Sequence, residues 1–243
     1  MRQTHSVWIG TKLGLMEKLT LALLIDAGHE PVLWVREKLS GIPKGVTVEL
    51  LPKDTLPPVG FAGDPLPHLP NGGIGSLAHW SDYFAFKTLN EHGGIWVQMD
   101  VAVTKKIVAE DYTFTPWLSM VSPVVMSIPK GSAYAASMQQ IIERMLVDGM
   151  AGRNWHEAMV AMFRQLVFQG LPINTFENYF DCGGVPESPY THPATQNAGR
   201  VTGLSRWLPY DIIHWSNATH NTSKETPAKG SEYERLCKAT GLI

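Results

Sequence analysis

The sequence predicts an α/β fold with a mostly parallel central sheet flanked by helices. Short apolar segments typical of buried strands alternate along the chain with segments whose apolar residues recur at helical spacing. The chain has 243 residues and 44% hydrophobic content, which is enough to bury one substantial core. We therefore interpret residues 1–243 as a single domain.

The amino-terminal elements are predicted from short apolar runs and one helical stripe. A strand over Ser6 to Ile9 precedes a helix over Leu13 to Ala27, which Gly28 closes. Two further strands follow, over Pro31 to Val35 and Val46 to Leu51. Six prolines then occur between residues 52 and 70, which predicts an irregular surface loop.

The centre of the chain predicts a helix that ends at a glycine pair and leads into a buried strand. The helix runs from Ser76 to His92, and Gly93 and Gly94 supply its left-handed C-cap. Ile95, Trp96 and Val97 then form the strand, and Asp100 follows at its carboxyl end. Open α/β sheets bind their ligands at this edge, so Asp100 is the first candidate site residue.

The carboxyl-terminal half continues the alternation with weaker signals. Its apolar segments predict strands over Leu118 to Val121, Val124 to Ile128 and Ile212 to Ile213. Its helical segments are Tyr134 to Val147, Trp155 to Gln169 and Glu232 to Thr240, while residues 183–210 are predicted to be loop.

Several motifs resemble those of a known family, in the same order along the chain. They are His5-x-x-Trp8-Ile9-Gly10, then Leu33-Trp34, then Ser81-Asp82, and finally Gly93-Gly94-Ile95-Trp96 with Asp100 four residues on. Over residues 5–105 the pattern resembles GT-A glycosyltransferases, in the group that includes Och1-type mannosyltransferases and the sugar-transferring domain of large clostridial toxins. The resemblance implies a GT-A, Rossmann-like fold and transfer of a sugar from a nucleotide-sugar donor, with UDP favoured, to a hydroxyl acceptor with retention of configuration.

The resemblance also implies roles for individual residues. Asp100 would be the catalytic metal ligand, Trp8 would stack on the nucleotide base, and Asp82 would contact the donor sugar. The family's strand normally ends Asp-x-Asp, whereas this chain has Gln98 at the first position. An amide can still hydrogen-bond a ribose hydroxyl, so Gln98 stays a donor-binding candidate. The family's arginine three residues after the helix aspartate is replaced by Ala85, which changes which sugar is held.

A metal site follows from the chemistry of the reaction. Charge that grows on the departing diphosphate must be neutralised, and a divalent cation does so as a Lewis acid. Oxygen ligands favour Mn²⁺ or Mg²⁺. In the enzymes that this chain resembles, a residue beyond the last core strand folds back over the diphosphate. The resemblance therefore implies that His214, the one good ligand that follows a strand there, or a neighbour among Trp215, Ser216 and Asn217, completes the metal or diphosphate shell around Asp100.

Two other functional classes remain open at this stage. The first is a non-catalytic relative that binds a nucleotide sugar or a glycan, with Gln98 and Ala85 as marks of decayed catalysis. The second is an NAD(P) oxidoreductase, which is disfavoured because no Gly-x-Gly-x-x-Gly follows a strand. The acceptor is not determined: a saccharide is favoured, and a hydroxymethylated DNA base or a protein side chain would also present a hydroxyl.

Charge and cysteine content restrict partners and compartment. The net charge of -2 argues against a broad nucleic-acid or anionic-membrane surface. Cys182 and Cys237 are too few for a disulfide framework, so a cytoplasmic location is predicted. No apolar run is long enough to predict a transmembrane segment or a signal peptide.

Overall fold

The computed structural model describes residues 3–55, 75–117, 120–147, 156–181, 210–215, 225–227 and 229–243. The helices are α1 (Leu15–Asp26), α2 (Gly75–His92), α3 (Ala133–Val147), α4 (His156–Phe168) and α5 (Glu232–Ala239). The strands are β1 (Thr4–Trp8), β2 (Pro31–Val35), β3 (Thr47–Leu50), β4 (Ile95–Val97), β5 (Val101–Val103), β6 (Thr113–Trp117), β7 (Met120–Ser127), β8 (Asn174–Thr175), β9 (Tyr179–Asp181) and β10 (Ile212–His214).

The strands form two sheets. The large sheet has seven strands in the order β3-β2-β1-β4-β7-β6-β8, and only β7 runs antiparallel to its neighbours β4 and β6. The small sheet has the order β5-β10-β9, with β10 antiparallel to β5 and parallel to β9. The predicted α/β class, a Rossmann-like and mostly parallel sheet flanked by helices, is confirmed. That residues 1–243 form one domain stays a prediction.

Helix α1 joins the two sheets. Leu21 packs in one apolar cluster with Leu33 of β2, while Met16 packs in another with Ile213 of β10 and Tyr233 of α5. Because apolar side chains leave the helix in both directions, α1 is buried on more than one face rather than amphipathic. The small sheet is thereby held against the same helix that supports the large one.

The predicted glycine C-cap of α2 is confirmed. Gly93 and Gly94 have φ values of 72° and 92°, and the Gly93 amide donates to the Leu89 carbonyl at 2.8 Å. A Cβ atom at position 94 would lie 2.6 Å from the carbonyl oxygen of Gln3. Glycine is therefore required here by both the left-handed backbone and the close approach of Gln3, the residue before β1.

The strands that follow β5 differ from the prediction. Two strands were expected over residues 118–121 and 124–128, whereas β7 is one strand and β6, which precedes it, was not predicted. Pro123 lies in a bulge, because the pairing with β6 jumps from Phe114↔Met126 to Thr115↔Ser122. Strand β4 pairs only with residues 125–127 of β7. The missing amide hydrogen of Pro123 therefore breaks no ladder bond, and the strand continues through it.

Candidate functional site

Asp100 lies on a short turn that connects the large sheet to the small one. The turn, residues 98–100, follows β4 and leads directly into β5. Three elements fix its backbone: the Gln98 amide donates to the Val124 carbonyl at 2.9 Å, the Thr20 hydroxyl donates to the Met99 carbonyl at 3.0 Å, and the Trp215 amide donates to the Asp100 carbonyl at 2.9 Å. The Asp100 side chain is 24% exposed, so its carboxylate can reach a ligand.

The structure brings His214 to Asp100. His214 is the last residue of β10, and its Nε2 lies 3.5 Å from Oδ2 of Asp100. On the other side of the ring, Nδ1 lies 3.5 Å from Oδ2 of Asp181. The Tyr179 hydroxyl donates to the same Asp181 oxygen at 3.3 Å and is 3.4 Å from His214 Nδ1. The imidazole therefore stands between two carboxylates, one from each neighbouring strand region.

This arrangement controls the charge of His214. Burial by itself would lower the pKa of the imidazole, but the opposing charges and hydrogen bonds of Asp100 and Asp181 raise the pKa to about 9. Without a metal, His214 is an imidazolium at neutral pH. A cation that takes Nε2 must displace a proton from it, so metal binding here would release a proton.

The distance between the Asp100 and His214 donor atoms is compatible with both binding one divalent cation. Two atoms that bind one cation at about 2.1 Å each lie at most about 4.2 Å apart, and the Asp100 and His214 atoms are 3.5 Å apart. Within the described ranges, no group of three or more His, Cys, Asp or Glu side chains is placed to hold a metal. The side chains present fit a site whose remaining positions are filled by oxygens of a bound ligand or by water.

Trp8 lies beside the Asp100 turn. It is the last residue of β1, is half-buried, and packs against an apolar cluster that contains Met99. Its Nε1 donates to the Lys12 carbonyl at 2.9 Å. A Cβ atom at Gly10 would come within 2.6 Å of that nitrogen, so the glycine leaves room for the indole. The ring is held in place and keeps an accessible part.

Asp82 is a buried carboxyl on α2 rather than a surface group. It is 8% exposed, and its Oδ1 has no hydrogen-bond partner among the residues that the structure describes. Burial raises the pKa of Asp82 to about 8, so it is largely protonated at neutral pH. Gln98 is half-buried on the turn before Asp100. That Trp8, Asp82 and Gln98 line one donor pocket with Asp100 stays a prediction.

The residue after His214 is enclosed in the core, and strand β9 adds two residues to the site. Trp215 is fully buried and packs edge-to-face on Tyr233 at 5.7 Å between ring centroids. That a neighbour of His214 completes the metal or diphosphate shell stays a prediction. Ser216 and Asn217 lie outside the described residues. No pattern in the sequence assigns a role to Asp181 or Tyr179. Their strand has three residues, too short for a periodic signal, and its parallel pairing with β10 cannot be read from the sequence.

No helix among the described residues combines the length and apolar character needed to cross a membrane.

Comparisons with known proteins give matches among solved structures but none to a protein-family model or a curated protein. Among solved structures, the chain is similar to one described as PaToxG Glycosyltransferase. The two share 12% sequence identity, the match covers 70% of this chain and 68% of that one, and the TM-score is 0.48.

Proposed function

We propose that this protein is a glycosyltransferase that moves a sugar from a nucleotide-sugar donor, with UDP favoured, to a hydroxyl acceptor. The reaction would be metal-dependent and would retain the anomeric configuration. One observation carries the proposal: the Asp100 carboxylate and the His214 imidazole converge to 3.5 Å beyond the end of β4, at the position where the motif resemblance expects a diphosphate-bound metal.

The two side chains match what the reaction needs. When bound, Mn²⁺ or Mg²⁺ supplies Lewis-acid stabilisation of the charge that develops on the departing diphosphate. Asp100 would hold the cation with a carboxylate oxygen, and His214 would contribute Nε2 after losing its proton. With these two ligands from the described residues, further positions on the cation would be available to the diphosphate oxygens of the donor.

Three further residues would bind the rest of the donor. The exposed part of Trp8 offers an aromatic surface for the nucleotide base. Protonated Asp82 can both donate and accept a hydrogen bond, which suits a sugar hydroxyl in a water-poor pocket. The Gln98 amide has the same dual capacity toward a ribose hydroxyl. A saccharide is the favoured acceptor.

Metal-dependent ligand binding tests the proposal. We expect UDP with Mn²⁺ to raise the melting temperature of the protein, and UDP without metal to do so much less, because a ligand of the native state stabilises it. A screen of UDP- and GDP-sugars for metal-dependent donor hydrolysis then identifies the donor. Asp100→Ala should abolish both effects while the protein stays folded.

A matched control variant distinguishes the loss of the Asp100 site from a general effect of removing a negative charge. Asp211→Asn removes a carboxylate of similar exposure, 30%, which pairs with Lys105 at 2.8 Å. This variant should keep metal-dependent stabilisation by UDP. If no nucleotide or nucleotide sugar stabilises the wild-type protein in the presence of Mn²⁺ or Mg²⁺, the proposal is wrong.

A nucleotide-sugar-binding protein without turnover is the second candidate. The amide at Gln98, in place of the family's first aspartate, favours it. This protein would show the same metal-dependent stabilisation by UDP, but no donor hydrolysis and no transfer.

A further inference from the structure

We infer that Asp181 and Tyr179 form a positioning pair that orients the His214 ring so that Nε2 faces Asp100. The inference rests on the proposed function, because it assigns the pair a role in preparing His214 as a metal ligand. Neither residue would touch the cation or the substrate itself.

The pair is placed by backbone pairing. Strands β9 and β10 run parallel, and their register sets Asp181 beside His214 and Tyr179 beside Ile212. Asp181 Oδ2 lies 3.5 Å from His214 Nδ1. The Tyr179 oxygen lies 3.4 Å from the same nitrogen, and its hydroxyl donates to Asp181 at 3.3 Å. Nδ1 therefore faces a connected hydroxyl and carboxylate.

These contacts distinguish the two ring nitrogens. A hydrogen on Nδ1 finds an acceptor in the Tyr179 oxygen or the Asp181 carboxylate, whereas Nε2 points to Asp100. A histidine ligand that donates its second ring nitrogen to a carboxylate or another acceptor keeps its tautomer and its orientation. The ring would otherwise be able to rotate about its χ2 angle, which is a soft torsion.

The competing explanation is that Asp181 acts only through its charge. A second carboxylate near a cation site raises cation affinity by attraction, without any effect on ring orientation. Tyr179 separates the two accounts because it contacts both His214 and Asp181 but carries no charge. Replacing Tyr179 by Phe keeps the ring and removes only the hydroxyl.

Four variants test the inference by calorimetric titration of Mn²⁺ in the presence of UDP. Asp181→Ala should lose about 10- to 100-fold in Mn²⁺ affinity, as do other changes to groups that orient a ligand. Asp181→Asn should lose less, because the amide oxygen still accepts from Nδ1. Tyr179→Phe should lose affinity with no change in charge, and the control Asp211→Asn should bind like the wild type.

The explanation by charge alone predicts a different result. Equal losses for Asp181→Ala and Asp181→Asn, with wild-type affinity for Tyr179→Phe, would mean that charge alone acts and would overturn the inference. Melting temperatures of all variants identify any that fail to fold.

The orientation of the His214 ring can also be observed without a metal, so it tests the positioning pair independently of the proposed function. In crystal structures of the metal-free proteins, the wild type should keep Nε2 toward Asp100, and Asp181→Ala should show a rotated His214 ring. If the wild type binds no Mn²⁺ with UDP, the proposed function fails, and this comparison still decides the orientation. An unrotated ring in both Asp181→Ala and Tyr179→Phe would overturn the inference.

Discussion

His214 and Asp100 are joined through both their side chains and their backbones. The side chains approach to 3.5 Å, and the Trp215 amide donates to the Asp100 carbonyl at 2.9 Å. The antiparallel pairing of β10 with β5 sets His214 opposite Val101, the residue after Asp100. The strand ladder therefore fixes the two backbones beside each other, and the side chains meet from those positions.

We predict that His214→Ala weakens Mn²⁺ binding in the presence of UDP by at least about 10-fold, because one of the two protein ligands is lost. The melting temperature at neutral pH should also fall, because the ion pairs of the His214 imidazolium with Asp100 and Asp181 stabilise the folded state. Calorimetric titration measures the affinity. His92→Gln, which changes a partly exposed histidine at the end of α2, is the control. Unchanged affinity in His214→Ala would leave Asp100 as the one candidate protein ligand among the described residues.

Gln98→Asp should preserve donor turnover or increase it. The change restores the family's Asp-x-Asp pattern, and a carboxylate two residues before Asp100 would accept a hydrogen bond from the ribose and add a charge opposite to that of the cation. Gln98 is half-buried on the turn, so the aspartate stays in contact with solvent. Initial rates of UDP-sugar hydrolysis with varied Mn²⁺ measure the effect. A large loss of activity would indicate that the Gln98 amide itself contacts the donor.

The fold and the site could be predicted to different extents. The glycine C-cap of α2 and the strand Ile95–Val97 were predictable because left-handed glycines and buried apolar runs are local signals. The approach of His214 to Asp100 was an expectation drawn from the family resemblance. The place of Asp181 was not predictable, because it depends on a parallel pairing between two three-residue strands that are distant in sequence.

Acid should destabilise the protein through His5. This residue is 2% exposed, and burial, with a smaller effect from His92, lowers the pKa of the imidazole from 6.5 to about 4. The unfolded chain binds the proton first as pH falls, so stability is complete above pH 6.5 and decreases between pH 6.5 and about 4. Over this interval the free energy of unfolding should decrease by an amount on the order of 3 kcal/mol.

Denaturant unfolding of His5→Gln against the wild type measures this effect. The variant lacks the buried titrating group, so its stability should fall less over the same pH interval. An identical pH dependence for both proteins would assign the acid sensitivity to other groups.

Gly94→Ala should destabilise the protein more than Gly28→Ala does. Both glycines have a left-handed backbone, with φ of 92° and 79°. An added Cβ at Gly28 meets nothing within 4 Å, whereas at Gly94 it would lie 2.6 Å from the Gln3 carbonyl oxygen. We expect the free energy of unfolding to decrease by about 1 kcal/mol in Gly28→Ala, from the backbone strain alone. In Gly94→Ala it should decrease by about 3 kcal/mol or more. Equal losses in denaturant unfolding would mean that β1 shifts to accommodate the methyl group.

Asp82→Asn should make the protein more stable and less active. The pKa of Asp82 is raised from 3.8 to about 8, so the folded protein must hold a proton that the unfolded chain gives up. The contribution of Asp82 to the stability of the wild type is therefore fully present below about pH 4 and is lost as pH rises towards 8. Asparagine has nearly the same shape and does not have to take up a proton on folding. The free energy of unfolding of the variant should therefore be higher by about 1 kcal/mol or more at neutral pH.

The activity of Asp82→Asn decides whether the buried carboxyl has a function. A group that lowers stability and yet binds the donor sugar should, when replaced, reduce donor turnover by about 10-fold or more while stability rises. Glu49→Gln removes an exposed carboxylate on β3 and is the control for charge loss. Denaturant unfolding across pH and initial rates with UDP-sugars are measured on the same preparations. A stabilised variant with full turnover would show that Asp82 lies outside the donor site and would remove it from the proposed mechanism.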